Sequence, residues 1–119
     1  MKQVISIIRP HTYFTLKNNL EKNGFNAMSV YDVTGRGKQE VKMVAYTAGN
    51  GTDEYIEHHP MIAKKMISIF VRDKDCSRLT KVIQECACTH SPGDGKIFIL
   101  SVDNGIRIRT GEEHDESIV

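Results

Sequence analysis

The sequence predicts an α+β fold with the strand and helix order βαββαβ. Three observations support this prediction: β-branched runs recur along the chain, two segments have the apolar spacing of amphipathic helices, and one long polar stretch interrupts the pattern. The chain has 119 residues, of which 39% are hydrophobic and 26% are charged. This length and balance suit one hydrophobic core, so residues 1–119 are predicted to form a single domain.

The first strand and the first helix are predicted near the amino terminus. A β-branched run favours a strand over about residues 2–9, and Pro10 ends it because proline cannot donate a ladder hydrogen bond. A helix is expected between Thr12, a suitable N-cap residue, and Gly24, a residue suited to the position after the last turn. The positions at helical spacing on its inner face are Tyr13, Leu16, Lys17 and Leu20.

The middle of the chain contains two further strands and a long connection. The strands are predicted over about 27–36 and 62–71, with a polar segment over 38–60 between them. A median connection has only about 4 to 6 residues, so this segment is predicted to be disordered or to carry the function. A second helix is capped by Asp73 or Asp75. Its apolar positions are Leu79, Val82, Ile83, Cys86 and Ala87.

A fourth strand over 96–102 completes the pattern, followed by a short extra strand over 106–109 and an acidic tail. This order is that of a ferredoxin-like sandwich, in which two helices cover one face of four antiparallel strands. The first and third strands carry apolar residues on both faces. Because an exposed apolar sheet favours association, we expect the uncovered face to be buried against copies of the chain in a compact oligomer.

Charge and composition exclude several classes of protein. The chain has sixteen Lys and Arg residues and fifteen Asp and Glu residues, and four of these acids lie in the last eight residues. The modest positive surplus of the remaining chain is too small for nucleic-acid binding but suits a small polyanion such as a nucleotide. No segment resembles a signal peptide or a membrane span, and three cysteines without a disulfide pattern indicate a reducing cytoplasm.

Two clusters of potential metal ligands are interpreted as structural. Cys86, Cys88 and His90 are close in sequence, but two residues on a helix differ by about 200° in direction, so the two thiols diverge. Core packing and an exposed thiol are therefore favoured there. His58–His59 follow three acids and could hold zinc in a crystal or at an interface, but the lack of a fixed ligand spacing favours a solvated loop. The acids are Asp53, Glu54 and Glu57.

Three clusters of glycines and cations are candidates for anion binding. The stretch Gly93–Lys96 would expose backbone N–H groups to a phosphate, although a plain turn gives the same pattern. Strand geometry would place Arg107 and Arg109 on one face, either as a phosphate fork or as a solvated edge. The third cluster is GRGKQ over 35–39, which also suits a flexible hinge.

Together these segments resemble the nitrogen-regulatory PII signal-transducer family over nearly the whole chain. The most specific pieces are Thr89-x-x-x-Gly-Asp-Gly-Lys-Ile-Phe and the later RIRTGEE, supported by Arg9–Pro10 and GRGKQ. The resemblance implies a trimer of ferredoxin-like subunits that binds ATP or ADP between subunits. It also implies three functional segments: a T-loop over about 37–61, a B-loop over about 89–96 and a C-terminal loop over about 107–119.

The resemblance also implies ligand roles, with the two arginines reaching the phosphates from a neighbouring subunit. The implied nucleotide-binding residues are Ser29, Gly35, Gly37, Lys38, Gly93, Asp94, Gly95, Lys96, Arg107 and Arg109. The implied 2-oxoglutarate-binding residues are Gly37, Lys38, Gln39 and Lys64. Gln39 would also be a ligand of Mg²⁺, which prefers hard oxygen ligands and shares the nucleotide phosphates. No activated nucleophile or base is evident, so binding rather than turnover is expected.

The T-loop is expected to carry the output. It lacks the family's usual Y-R-G-A-E-Y stretch, so Tyr46 and Tyr55 are interpreted as hairpin or partner contacts. Its length and GRGKQEVK sequence look like the nitrogenase-associated branch, which implies a homotrimer or a heteromer with a paralogous PII subunit and nitrogenase as target. An ammonium channel is the alternative target.

Two other classes fit less well. An acyl-phosphate hydrolase of the same fold would need an Arg–Asn pair around a catalytic water, which is not evident. An RNA-binding module would need exposed aromatic residues on the central strands, and aromatic content is only 7%.

Overall fold

The computed structural model describes residues 1–37, 41–46, 51–57 and 60–119. Its strands are β1 (Lys2–Ile8), β2 (Ser29–Arg36), β3 (Val41–Tyr46), β4 (Thr52–Glu57), β5 (Met61–Val71) and β6 (Gly95–Ser101). Its α-helices are α1 (Tyr13–Lys22) and α2 (Cys76–Ala87). Short 3-10 turns are formed by Pro10–Thr12, Asp73–Asp75 and His114–Ser117. The predicted strand bounds differ from these by one or two residues.

The main sheet has the order β2-β5-β1-β6, and every neighbouring pair is antiparallel. The central strand β1 pairs Ile5 with Ser68 of β5 on one side and with Phe98 of β6 on the other. Because α1 and α2 supply the residues that pack on one face, the predicted ferredoxin-like sandwich is confirmed. Among the described helices, none has the length and apolar character to cross a membrane.

The core lies between the helices and one face of the sheet. Alternate residues of β1, from Val4 to Ile8, meet Leu16 and Leu20 of α1 and Leu79 of α2. The helical spacing in the sequence therefore predicted the buried face correctly. Other buried apolar residues are Phe25, Ile67, Ile69, Val71, Ile83 and Ala87.

Both helices begin at the predicted residues, but without side-chain capping bonds. Thr12 occupies the N-cap position of α1, and its hydroxyl donates instead to the carbonyl oxygen of Arg9 at 2.8 Å. Asp75 occupies the N-cap of α2, and its carboxylate accepts from Arg72 at 3.2 Å and from Arg78 at 3.5 Å. The 3-10 turn before each helix already supplies the first turn of backbone bonds, which leaves these side chains to other partners.

The opposite face of the sheet is apolar and uncovered in the single chain. Phe70 and Phe98 are each 48% exposed, and Leu100 is 42% exposed. These residues flank Gln3 and Ile5 of the central strand. The face is therefore continuous, and the expected burial against other copies remains a prediction.

The long segment between β2 and β5 contains a separate two-stranded antiparallel ribbon. Its strands β3 and β4 pair Val41 with Glu57 and Tyr46 with Thr52. The backbone register also pairs Met43 with Tyr55, so both tyrosines lie in the ribbon, as expected for hairpin positions. The paired backbone gives this segment secondary structure of its own.

The predicted extra strand over 106–109 is wrong. Only Ile106 forms a strand-like bridge, with Glu113, and the chain between them makes a turn. The turn is closed by the N–H of Gly111, which donates to the carbonyl of Arg107 at 2.7 Å. Gly111 has φ of +75°, a conformation that reverses the chain and is incompatible with a continuing strand.

Candidate anion-binding site

The B-loop joins α2 to β6 and is organised by one carboxylate. Asp94 accepts the N–H of Thr89 at 2.6 Å, the Thr89 hydroxyl, and the N–H of Ser91 at 3.3 Å. It also pairs with the Arg9 guanidinium at 3.1 Å. These hydrogen bonds, led by those from Thr89, lower the pKa of Asp94 well below its usual range. Asp94, predicted as a nucleotide-binding residue, therefore holds the loop in shape.

Arg9 ties the B-loop to the end of β1. Its Nε donates to Asp94, and its Nη2 donates to the carbonyl oxygen of Pro92 at 2.5 Å. The side chain is only 18% exposed. Arg9 is a site residue that sequence reasoning did not assign, although the Arg9–Pro10 pair was noted as part of the resemblance.

Two glycines give the B-loop its backbone path. Gly93 and Gly95 have φ of +97° and +112°, a region that other residues rarely adopt. Gly95 also pairs with Ile8 so closely that a Cβ at this position would lie 1.7 Å from the carbonyl oxygen of Ile7. The loop can therefore form only with a glycine at the start of β6.

A second cation reaches the B-loop from β5. The ammonium of Lys64 donates to the carbonyl oxygen of Gly93 at 2.5 Å. Burial lowers the pKa of Lys64, the nearby Arg9 charge lowers it further, and Asp94 opposes the change. Lys64 and Arg9 carry like charges and repel each other. A bound anion would reduce this repulsion, so the arrangement favours anion binding.

A cleft of about 300 Å³ opens beside the B-loop. Its apolar wall comes from β1, β6 and α2, and its polar rim includes the backbone of Gly95 and the exposed Lys96. The apolar lining residues are Ile7, Ile8, Ile83, Ala87 and Ile97. A cleft with an apolar wall and a cationic glycine rim suits a ligand that combines a charged group with an apolar part.

The two predicted arginines of the C-terminal loop differ in environment. Arg107 is partly buried and holds its own chain's last residues, pairing with Glu112 at 3.4 Å and donating to the carbonyl oxygens of Glu116, at 3.2 Å, and Val119. Arg109 is exposed, and no ion pair to it is found within the described parts of the chain. They lie on a turn rather than on one strand face, so that part of the prediction was wrong.

The remaining predicted site residues lie on or after β2. Ser29 begins the strand opposite Ser68, and Gly35 pairs with Ile62 near its end. Gly37 follows the strand and is exposed. Lys38 and Gln39 lie outside the described residues, and so does the predicted His58–His59 pair. The predicted Mg²⁺ ligand is therefore not described.

The Cys86-x-Cys88-x-His90 sequence does not form one cluster. Cys86 packs against the core, whereas Cys88 is exposed and lies 3.6 Å from Nδ1 of His90. This confirms the predicted combination of a packed and an exposed thiol. Within the ranges that the structure describes, no three His, Cys, Asp or Glu side chains are grouped as a metal site.

The fold and the site define a class of protein: a small ferredoxin-like domain with a glycine loop that is flanked by cations and suited to an anionic ligand. Comparison with known proteins identifies the family. The family model described as nitrogen regulatory protein P-II matches residues 1–112. The chain belongs to this family, which confirms the resemblance seen in its sequence.

Relatives of similar length carry related names. The nitrogen regulatory protein P-II 2 of Methanothermobacter thermautotrophicus is 39% identical over 118 residues, which cover 99% of this chain and 97% of that protein. The nitrogen fixation nifHD region GlnB-like protein 2 of Methanothermobacter marburgensis is 37% identical and covers 99% and 100% of the two chains. A solved B. subtilis GlnK–ATP complex has a TM-score of 0.74 at 31% identity, covering 98% of this chain and 96% of that one.

Proposed function

We propose that this P-II protein reports nitrogen status by binding ATP or ADP and, together with Mg-ATP, 2-oxoglutarate. The main support for this proposal is the geometry of the B-loop. Its backbone is fixed by Asp94 and contains two glycines with positive φ, and it is flanked by Lys64 and the exposed Lys96. Backbone N–H groups with nearby cations suit phosphate oxygens. The similar B. subtilis GlnK structure, which is an ATP complex, supports this assignment.

A trimer would complete the nucleotide site. The apolar face around Phe70, Phe98 and Leu100 needs a partner surface, and a second copy supplies one. Within one chain, no described hydrogen bond links Arg107 or Arg109 to the B-loop, which fits their proposed action on the nucleotide of a neighbouring subunit. The site then depends on assembly.

Lys64 is the proposed partner of a 2-oxoglutarate carboxylate. Its present hydrogen bond to the Gly93 carbonyl involves a neutral acceptor, and burial together with Arg9 disfavours its charge. A carboxylate would be a stronger partner, because ionised hydrogen bonds exceed neutral ones. Bound Mg²⁺ would reduce the repulsion between the triphosphate and the dicarboxylate, with Gln39 as its proposed protein ligand.

The neighbouring Lys65 supplies a matched control for this role. Its ammonium pairs with Asp32 at 2.5 Å and lies near the Tyr13 ring instead of the B-loop. Calorimetry should show that Lys64→Gln weakens 2-oxoglutarate binding to the Mg-ATP form by about tenfold or more, whereas Lys65→Gln does not. Equal 2-oxoglutarate affinity with and without Mg-ATP would contradict the shared-metal mechanism.

The proposed output is a change in the T-loop that alters binding to a cytoplasmic target. The ribbon of β3 and β4 lies in sequence between Gly37 and the strand that carries Lys64, so both ends of the T-loop are close in sequence to proposed ligand residues. The nifHD-region names of the relatives favour nitrogenase as target, and M. marburgensis has a protein 1 and a protein 2 of this kind, which favours a heteromer with a paralogue. An ammonium channel or a nitrogen-assimilation enzyme is the alternative.

A pull-down tests the target directly. The tagged chain should retain nitrogenase components with ATP or ADP alone and lose them when Mg-ATP and 2-oxoglutarate are added. Retention of an ammonium channel with the same ligand dependence would select the alternative. Steady release of phosphate from ATP at about one per second or faster would instead indicate a hydrolase.

A further inference from the structure

A thiol and an imidazole form an exposed pair beside the B-loop. The Sγ of Cys88 lies 3.6 Å from Nδ1 of His90, and both residues are exposed. Cys88 is the C-cap residue of α2, and its N–H donates to the carbonyl of Gln84 at 3.0 Å. His90 has φ of +61°, so the chain turns between the two residues and the ring returns to the sulfur.

This arrangement places a base next to a nucleophile. A thiolate, not a thiol, is the attacking species in sulfur exchange. The 3.6 Å between the Cys88 sulfur and the His90 ring nitrogen is within reach of a sulfur–nitrogen hydrogen bond, so the imidazole is placed to accept the thiol proton.

The chain contains two other thiols in different surroundings. Cys76 and Cys86 are partly buried and pack against the hydrophobic core. Burial raises the pKa of Cys86, and the nearby Glu85 raises it further. These two residues are therefore internal controls for the reactivity of Cys88.

The pair also lies at a functional position in the fold. Cys88 lines the cleft of about 300 Å³ together with Gly95 and Lys96. The next residue, Thr89, donates two hydrogen bonds to the carboxylate that organises the B-loop. A group attached to Cys88 would therefore occupy the cleft and crowd the loop.

We propose that Cys88 is a reversible modification site that undergoes thiol–disulfide exchange with low-molecular-weight disulfides, with His90 as its base. Nδ1 of His90 takes the thiol proton, and the Cys88 thiolate attacks one sulfur of the disulfide. A new sulfur–sulfur bond forms between Cys88 and the attacked sulfur as the original disulfide bond breaks. Cys88 is oxidised, and the departing sulfur is reduced to a thiolate that takes the proton from His90. Excess thiol reverses the exchange.

The consequence of this modification rests on the proposed nucleotide binding. An adduct in the cleft beside Gly95 and Lys96 lowers affinity for ATP, because it excludes phosphate from the B-loop and displaces Thr89 from Asp94. The site thus connects the thiol balance of the cell to nucleotide binding. The reactivity itself depends only on Cys88 and His90.

The first experiment measures reactivity in the intact native protein. Bis(2-hydroxyethyl) disulfide, a small neutral probe, is added near pH 7 and the adduct is followed by mass spectrometry. Adduct formation should show one fast kinetic phase, which corresponds to one thiol. Cys88→Ser should abolish this fast phase, whereas Cys76→Ser and Cys86→Ser should keep it. His90→Asn tolerates the left-handed backbone but lacks the base, so it should slow the phase by about tenfold or more.

Two outcomes would overturn the site: a fast phase that follows Cys76 or Cys86, or an unchanged rate in His90→Asn. Circular dichroism on each variant establishes that the fold is retained. Where His90→Asn unfolds, His90→Gly, which also tolerates the left-handed backbone, replaces it and must show the same slowing.

The second experiment measures ATP binding by calorimetry. The modified wild-type protein should bind ATP at least about tenfold more weakly than the reduced protein, and dithiothreitol should restore binding. Cys88→Ser exposed to the same disulfide should keep its affinity. Unchanged affinity after modification would overturn the proposed consequence. Failure of the reduced protein to bind ATP would instead contradict the proposed function and leave the reactivity result intact.

Discussion

Arg9 and Asp94 form an ion pair of 3.1 Å that joins the end of β1 to the loop before β6. The same guanidinium donates to the Pro92 carbonyl, and the same carboxylate accepts from Thr89 and Ser91. Two side chains thus fix the backbone of the proposed phosphate-binding loop before any ligand arrives. Preorganisation of this kind reduces the cost of ordering the loop on binding.

The first prediction concerns the pH dependence of this pair. Because the pKa of Asp94 is lowered from its ordinary value near 3.8, its stabilising contribution is present above that value and is lost as pH falls. Urea unfolding should show that Asp94→Asn is less stable than the wild type at pH 7. The difference should shrink progressively below pH about 3.8. A constant difference across that interval would show that the charge is not responsible.

The second prediction concerns Gly95. A Cβ there would meet the Ile7 carbonyl at 1.7 Å, and its φ of +112° disfavours any other residue. Gly95→Ala should lower the free energy of unfolding by about 2 to 4 kcal/mol. Gly35→Ala is the matched control, because a Cβ at that position has no atom within 4 Å. Chemical denaturation measures both, and equal stability of the two variants would contradict the described register.

The third prediction concerns a buried hydroxyl. Ser6 is fully buried, and its Oγ is the one buried side-chain polar atom without a hydrogen-bond partner among the described residues. Ser6→Ala should be neutral or should stabilise the protein by up to about 1 kcal/mol. Ser68→Ala should cost about 0.5 to 1.5 kcal/mol, because the Ser68 hydroxyl accepts from Gln3 at 3.1 Å. Thermal denaturation distinguishes these opposite signs.

The fourth prediction concerns the uncovered face of the sheet. Phe98→Asp should convert the proposed trimer to smaller species, because a carboxylate would be buried in an apolar interface. Phe14→Asp should leave the assembly intact, since Phe14 lies on α1 and is 71% exposed. Light scattering after size exclusion reports the mass of each variant. A wild-type protein that is monomeric at micromolar concentration would contradict the proposed shared site.

The fifth prediction separates the two arginines of the C-terminal loop. Arg107→Ala should weaken ATP binding and also release the last residues, because Arg107 holds the Glu116 and Val119 carbonyls. Arg109→Ala should lower ATP affinity by about tenfold and leave the C-terminal segment in place. Calorimetry measures affinity, and limited proteolysis measures release. If both variants bind ATP as tightly as the wild type, neither arginine belongs to the nucleotide site.

The sequence predicted those parts of the fold that depend on periodic apolar residues. Leu16, Leu20 and Leu79 lie in the core because helical spacing puts them on one side of each helix. The Arg9 contact with Asp94 was not predictable from local pattern, since it joins residues 85 positions apart. The extra strand was wrongly predicted because Arg107 and Arg109 alternate with Ile108, while the left-handed Gly111 determines the local structure.

The pairing of Arg36 with Met61 sets the two ends of the intervening segment side by side on neighbouring strands. The main sheet joins these two ends through its own hydrogen-bond ladder, and among the described residues no member of the hydrophobic core cluster lies between Arg36 and Met61. Lengthening or shortening that span therefore costs the domain little, since closure entropy rises only slowly with the number of residues. Insertions within the ribbon of β3 and β4 are therefore expected to leave the domain fold intact, whereas changes at Gly37, Lys38 or Gln39 would alter the proposed ligand residues.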